Sequence, residues 1–304
     1  MILHLHTFNF DFKPPNSILT MSLPRLSGRT CMVTGGTSGI GLSIAERFLR
    51  EGVTRVILVG RSSARLANAA TKLDSSFSPA DPSSPSHAPG TLIPASDKIS
   101  LLVGDVSTAS TWLRDLEKAL QPVDVLVNAA GISGANILPR TEPAEISQIL
   151  RTNLEGAVLT SRAFLRAAIR SRMRNSNSTS TTTPPARSKC IINVSSLLAV
   201  KGGTGAVAYA ASKAGLLGLT RSVTVEAAAS LRDVLVRSNA IVPGYIETPM
   251  IADFSEGETA RLKESIPLRR FGRPAEVADA AVFLAENEYA NNCVLNLDGG
   301  LSAV

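Results

Sequence analysis

The sequence is poor in the residues from which metal and thiol chemistry are built. Its 304 residues hold three histidines, His4, His6 and His87, and three cysteines, Cys31, Cys190 and Cys293. The histidines stand near the N-terminus or in a Pro/Ser-rich stretch, which argues against a triad or metal site built on imidazole. The cysteines are odd in number, far apart and without CxxC spacing, so neither zinc sites nor disulfide staples are expected and a reducing compartment is. No uninterrupted apolar run reaches the ~18 residues that a membrane span requires. Aromatic residues make up 4% of the chain and do not interleave with basic ones, so the net charge of +6 does not point to nucleic acid. What remains, at 44% hydrophobic and 18% charged, is the composition of a soluble globular protein with an ample core.

A rhythm of short apolar runs fills the chain from Arg29 onward. "TCMVTGG", "RVILVG", "ISLLVGDV", "DVLVNAAG", "CIINVSS", "RSNAIVPG" and "CVLNLDGG" end in Gly, Asp or Ser, and most are separated by segments of helical periodicity. Continuous apolar strands alternating with helices predict a parallel sheet covered on both faces. The expected fold is a single doubly wound, Rossmann-type α/β domain over residues 26–304, with seven parallel strands and helices on both faces. Two Ser/Pro- or Ser/Thr-rich stretches, 74–98 and 171–188, interrupt the rhythm and read as disordered surface insertions that cannot bury enough apolar surface to offset their ordering entropy. Residues 1–25 read as an N-terminal extension without a secretory h-region and cleavage site. Two explanations stand for it: a targeting sequence for the mitochondrial matrix, or a cytoplasmic protein translated from Met21.

The first run leads into "TGGTSGIG", Thr34 to Gly41, and a helix follows at once. A glycine-rich turn there lets backbone N–H groups approach a pyrophosphate seated on the helix N-terminus. Thr34, Gly35, Thr37, Ser38, Gly39, Ile40 and Gly41 are therefore cofactor-binding candidates. At the end of the second strand an NAD-specific site would place a carboxylate on the ribose 2′-hydroxyl. This chain has no acidic residue from Gly52 to Leu73; it has Arg61 and Arg65 instead. A guanidinium pairs with a 2′-phosphate, so NADPH/NADP is the expected cofactor, with Arg61 and Ser62 nearest the phosphate; the alternative is two solvated loop arginines. Asp105 and Val106 suit the adenine edge. Asn128, Ala129 and Gly131 in "NAAG" either leave room for the cofactor or make a tight strand-to-helix turn.

"VAYAASKAGLLG" sets Tyr209 and Lys213 one helical turn apart on the same face, among small residues. A phenol ordinarily titrates near pH 10, a poor match for proton transfer at neutrality. A cation at ~4 Å, in an effective dielectric of about 20, favours the phenolate by about 4 kcal/mol. The expectation is a pKa lowered by up to roughly three units, at about 1.4 kcal/mol per unit, making Tyr209 a usable acid or base. A Tyr/Lys pair is more often an amphipathic surface pair, but the surrounding small residues and Ser196 thirteen positions upstream speak against that.

As an ordered set, TGxxxGxG, NAAG, Asn153, Ser196, Y-x-x-x-K and PG resemble the short-chain dehydrogenase/reductase superfamily over about Leu26 to Ser302. The run from Ser195 to Ser222, "GRP-AEVA" at Gly272 to Ala278 and "VLNLDGG" are most similar to 3-oxoacyl-[acyl-carrier-protein] reductases. The resemblance implies that Ser196 hydrogen-bonds the substrate carbonyl, with Ser195 as the fallback. It implies further that Tyr209 exchanges the proton, that Lys213 tunes Tyr209 and holds the nicotinamide ribose, and that Asn153 holds a relaying water. It places Pro243, Gly244, Ile246 and Thr248 over the nicotinamide. Its members are homo-oligomers, dimers or tetramers, and Ala211, Leu216, Leu219 and Val223 are the expected apolar surface for that contact. The implied reaction is NADPH-dependent reduction of a small-molecule or carrier-bound 3-oxoacyl thioester in fatty-acid synthesis. Reduction of a polyketide, quinone or steroid-like ketone is the alternative. A non-catalytic NADPH-binding protein is the reading from another class; it would be expected to have lost Tyr209, Lys213 or Ser196. One departure is Asn291-Asn292, where the family usually has Thr-Gly before the last strand; Asn tolerates a left-handed backbone.

Overall fold

Each of the seven apolar runs forms a strand in the structure, a computed structural model that describes residues 24–78, 87–175, 187–231 and 234–304. In chain order the elements are β1 (Thr30–Thr34), α1 (Gly39–Arg50), β2 (Arg55–Gly60), α2 (Ser63–Leu73), β3 (Leu92–Pro94), β4 (Ile99–Val103), α3 (Leu113–Ala119) and β5 (Val125–Asn128). There follow α4 (Pro143–Leu150), α5 (Gly156–Asn175), β6 (Lys189–Val194), α6 (Val207–Ser230), β7 (Val236–Pro243), α7 (Glu256–Ser265), α8 (Pro274–Glu286) and β8 (Val294–Leu297). A single turn of π-helix, Arg151–Glu155, joins α4 to α5.

The strand order is β3-β4-β2-β1-β5-β6-β7-β8. Beside β1 the chain reverses its direction of travel across the sheet, since β2 and β5 flank it. Ligands of doubly wound folds bind in the crevice at that switch point. Alternation along β1 feeds both cores. Cys31 and Val33 pack with Ile44 and Phe48 of α1 and Val277 and Val282 of α8 on one face. Met32 packs with Leu116 of α3 and Phe164 of α5 on the other.

The expected seven strands are eight. β3 runs antiparallel to β4, pairing Leu92 with Leu102, Ile93 with Leu101 and Pro94 with Ser100. It falls inside the stretch read as a disordered insertion at 74–98. Phe77 and Ile93 both pack on the core from that stretch, so its two flanks are structured while residues 79–86 lie outside the described residues. The composition hid this strand: it is three residues long and carries a proline, which a sheet tolerates at an edge because the missing N–H faces outward. The flanks of the second stretch, 171–188, are likewise structured. Residues 171–175 extend α5, and Ser171 Oγ donates to the Gln121 carbonyl at 3.2 Å. On its far side Ser188 is buried; residues 176–186 lie outside the described residues, as do residues 1–23 of the N-terminal extension.

On α6, three of the four residues expected to form a contact surface have other duties. Leu216 and Val223 are buried within this chain and Leu219 is partly buried against the core; Ala211 alone is exposed. Asn292 has φ 56°, the left-handed backbone that the turn before β8 demands, and the Asn291 Oδ1 accepts from Ser238 N at 3.0 Å.

Candidate active site

The crevice opens where β1 gives way to α1. Gly35 and Gly41 shape its floor: a Cβ at Gly35 would stand 2.8 Å from the Ala130 backbone, and one at Gly41 would stand 2.5 Å from the Gly35 carbonyl oxygen. Side chains at these positions would collide with neighbouring backbone and force the turn out of its shape. Ser38, the N-cap of α1, makes no side-chain cap hydrogen bond, and the first turn carries no acidic residue. The positive end of α1 thus faces the crevice without a carboxylate of its own, as an anion site requires. Thr37, Ser38, Gly39 and Ile40 line the crevice beside them.

At the β2 end of the crevice stand Arg61, Ser62 and Arg65. Ser62 caps α2, accepting from Arg65 N at 3.3 Å, and Arg65 Nη2 donates to Ser38 Oγ at 3.3 Å. Arg61 is mostly exposed, its Nη1 4.0 Å from Asp105 Oδ2. Two guanidinium groups therefore flank the end of β2, with Arg65 beside the expected phosphate contacts Arg61 and Ser62. Asp105 and Val106 continue the lining at the end of β4, and Ala129 and Gly131 at the end of β5. These pieces, a bare glycine cradle, an open helix N-terminus and paired arginines, fit a dinucleotide bearing a 2′-phosphate.

Some expected contacts lie behind the crevice instead. Asn128 is buried, its Nδ2 donating to Ser161 Oγ and Asn193 Oδ1 and its Oδ1 accepting from Thr160 Oγ1. Thr34 Oγ1 accepts from the Ala129 and Ala130 N–H groups at 3.1 and 3.2 Å, fixing the "NAAG" turn against β1. Thr248 lines the crevice, whereas Ile246 is buried in the core and bridges to Gly272, and Gly244 lies against Asp298. Pro243 closes strand β7. Residues not singled out in the sequence also line the space, among them Gly60, Ile132, Thr152, Pro249 and Met250. Gly60 ends the quoted run "RVILVG" and Ile132 follows "NAAG", but no pattern marks Thr152 or Met250.

The far end of the crevice holds Tyr209 and Lys213 of α6. Lys213 is buried; its Nζ donates to the Val194 carbonyl at 2.9 Å and lies 5.7 Å from the centre of the Tyr209 ring. Burial brings the Lys213 ammonium down to about 8. Burial also pushes the Tyr209 phenol up, and the Ser196 side chain beside it, as a hydrogen-bond partner, draws it part-way back. The expected lowering by a neighbouring cation is thus overturned: desolvation disfavours both charged forms, and the ammonium sits toward the ring and a carbonyl. A phenol held protonated is nonetheless suited to giving a proton.

The two serines of "VSS" differ in their duties. Ser195 is buried and donates to the Lys213 carbonyl at 2.8 Å, tying β6 to α6. Ser196 starts the following turn, its Oγ accepting from Leu198 N at 3.2 Å, and stands next to the phenol. Asn153 lies in the π-helical turn, a local widening often found at functional sites. Its Oδ1 accepts from Ile132 N at 2.8 Å, and its Nδ2 donates to the Ile132 carbonyl at 2.9 Å and to Ser212 Oγ at 3.0 Å. Both amide protons are therefore used in bracing the β5 loop against α6.

A family model described as "short chain dehydrogenase" matches residues 29–259, well over half of the chain. The chain is a short-chain dehydrogenase. As such it is an NAD(P)-dependent oxidoreductase. It is similar to a 3-oxoacyl-[acyl-carrier-protein] reductase of Bos taurus, 35% identical over 273 residues that cover 90% of this chain and 98% of that one. A protein of the same description from Aquifex aeolicus is 32% identical, covering 91% and 98%. Among solved structures it resembles a candidate NAD(P) dependent gluconate 5-dehydrogenase from Beutenbergia cavernae with bound NADP at low occupancy. There the TM-score is 0.75 and the identity 29%, over 92% of this chain and 100% of the other. This short-chain dehydrogenase has, among its described residues, no helix long and apolar enough to cross a membrane.

Proposed function

We propose that the enzyme uses NADPH to reduce the ketone of a 3-oxoacyl thioester to the 3-hydroxyacyl form in fatty-acid synthesis. The observation that carries this reading is the meeting of Ser196 and Tyr209 beside a buried Lys213 at the end of the nucleotide crevice. The names of the Bos taurus and Aquifex aeolicus relatives support the thioester. Bound NADPH supplies the hydride to the ketone carbon. Ser196 donates a hydrogen bond to the ketone oxygen, which polarises it, and Tyr209 gives that oxygen its proton. Ser196 takes this role in preference to Ser195, whose hydroxyl is engaged by α6. Lys213 holds positive charge near the phenol and would hold the nicotinamide ribose of bound NADPH, and Asn153 positions the loop that walls the site. A water relay at Asn153 would use its backbone carbonyl, since its side-chain protons are taken.

Arg61 and Arg65 together receive the 2′-phosphate. The proposed compartment is the mitochondrial matrix, tested by fusing residues 1–25 to a fluorescent reporter: retention in the cytoplasm overturns it. The deciding assay follows NADPH oxidation by the purified enzyme with acetoacetyl thioesters, 5-ketogluconate and simple quinones. Turnover of the thioester at the highest kcat/KM is the expected result. Preference for the sugar acid or the quinone overturns the substrate assignment while leaving the chemistry of Tyr209 in place.

A further inference from the structure

Trp112 is the chain's single tryptophan, and it lies directly behind the part of the crevice formed by the end of β4. Its indole is buried in the core among Met32, Ile57, Val59 and Leu102. The six-membered ring packs flush on Gly104: a Cβ built there would stand 2.5 Å from Trp112 Cζ2 and 2.7 Å from Cε2 and Cη2. At the next residue, the Asp105 carbonyl accepts from Trp112 Nε1 at 3.1 Å, and also from Thr108 N and Thr108 Oγ1. On the opposite side of this turn, Gly104, Asp105 and Val106 present themselves to the crevice, with Gly104 N bonded to the Gly60 carbonyl at 2.9 Å. The Asp105 carboxylate, held by Ser107 N and Ser107 Oγ, faces Arg61.

We infer that Trp112 is a positioning residue for cofactor binding: its indole sets the height and tilt of the Gly104–Val106 turn, and with it the wall that receives the adenine half of NADPH. The side chain never reaches the cofactor. It fills the space beneath a glycine that has no side chain to fill it, and it restrains a carbonyl whose residue stands against the arginine at the 2′-phosphate end. A phenyl ring keeps an aromatic in the core but leaves a gap under Gly104 and removes the N–H. The inference rests on the proposed use of NADPH, and the test separates the two.

The probe is adenosine 2′,5′-bisphosphate, which carries the adenine and the 2′-phosphate without the nicotinamide, titrated into the ligand-free full-length enzyme by calorimetry. Trp112→Phe is expected to weaken it roughly fivefold or more. The Michaelis constant for NADPH should rise to match while kcat at saturation holds, a split that general loss of structure would not give. Gly104→Ala, which drives a methyl into the indole from the other side, should weaken the probe similarly. In the unaltered protein, binding of the probe should shift or quench the tryptophan emission, since Trp112 is its only source. Unchanged probe affinity in both variants, or unchanged emission on binding, overturns the role of Trp112 and leaves the cofactor assignment standing. Failure of the unaltered enzyme to bind the probe overturns both.

Discussion

The Lys213 ammonium points at the Val194 carbonyl, 2.9 Å away, and lies over the Tyr209 ring at 5.7 Å from its centre. The pair therefore works through shared burial as well as through charge. Burial keeps the phenol protonated and makes the lysine easier to discharge.

Tyr209→Phe removes the proposed proton donor and leaves the ring in place. Reduction should fall by roughly 10²–10⁴-fold, the usual worth of a positioned acid. NADPH affinity, measured by fluorescence titration, should change little. A variant that turns over at near the normal rate would remove Tyr209 from the mechanism.

The rate should also depend on pH through Lys213. Its ammonium titrates at about 8 in the free enzyme, so the charged form dominates below that pH and is lost above it. Because kcat/KM reports groups of the free enzyme, it should fall as pH rises through about 8. Tyr209, shifted upward, stays protonated over the same range. Stability should move the other way. A lysine with a folded pKa near 8 and an unfolded one near 10.5 binds fewer protons when folded, so stability rises with pH between these values. Urea unfolding of Lys213→Met across pH 8 to 10 should lack that rise; an identical pH dependence in both proteins would contradict it.

Cofactor preference should yield to the two arginines at the end of β2. Arg61→Asp is expected to lower the ratio of kcat/KM for NADPH over NADH by about tenfold or more, the worth of one charge-assisted hydrogen bond. Adding Arg65→Asp should lower it further. If only the second change matters, Arg65, which already bonds Ser38 at the helix N-terminus, is the phosphate ligand.

Away from the site, Arg237 is fully buried and serves the fold. Its guanidinium donates to the carbonyls of Leu284, Ala285 and Ala290 and to Ser188 Oγ. Arg237→Met leaves those acceptors stranded around the end of α8. A loss of about 3 kcal/mol is expected, read as a lower urea midpoint with an unchanged slope. A shift within ~0.5 kcal/mol would show that water replaces the guanidinium.

The proposed homo-oligomer has a narrower basis than the sequence alone suggested. With Leu216 and Val223 buried, the large apolar residues exposed on α5 and α6 include Val158 and Val225. Sedimentation velocity at micromolar concentration should show a species larger than a monomer, and Val225→Arg should reduce it. A fully active monomer would refute the assembly.

The central sheet was legible because buried parallel strands write themselves as apolar runs, as in "CMV", "VILV" and "CIINV". The paired groups on α6 were legible because four-residue spacing has a fixed meaning on a helix. Other features depend on what folding brings from elsewhere. Whether Asn128 faces the crevice or the core is decided by Thr160, Ser161 and Asn193. Tyr209's pKa direction is set by how deeply its pocket closes, and spacing along one helix says nothing of depth. β3 was missed because three residues with a proline carry no periodicity; its strand character comes from β4 beside it.

The two rims of the sheet differ in a way that bears on crowding inside a cell. At one rim, the short β3 ends in Pro94, which lacks the N–H that a newly arriving strand would need. At the other, β8 has no such block, and Val294 there is substantially exposed. Another chain seeking to prolong the ladder meets a barrier at one rim and an opening at the other. Edge-to-edge pairing is thus disfavoured at the β3 rim, whereas no proline stands in the way along β8.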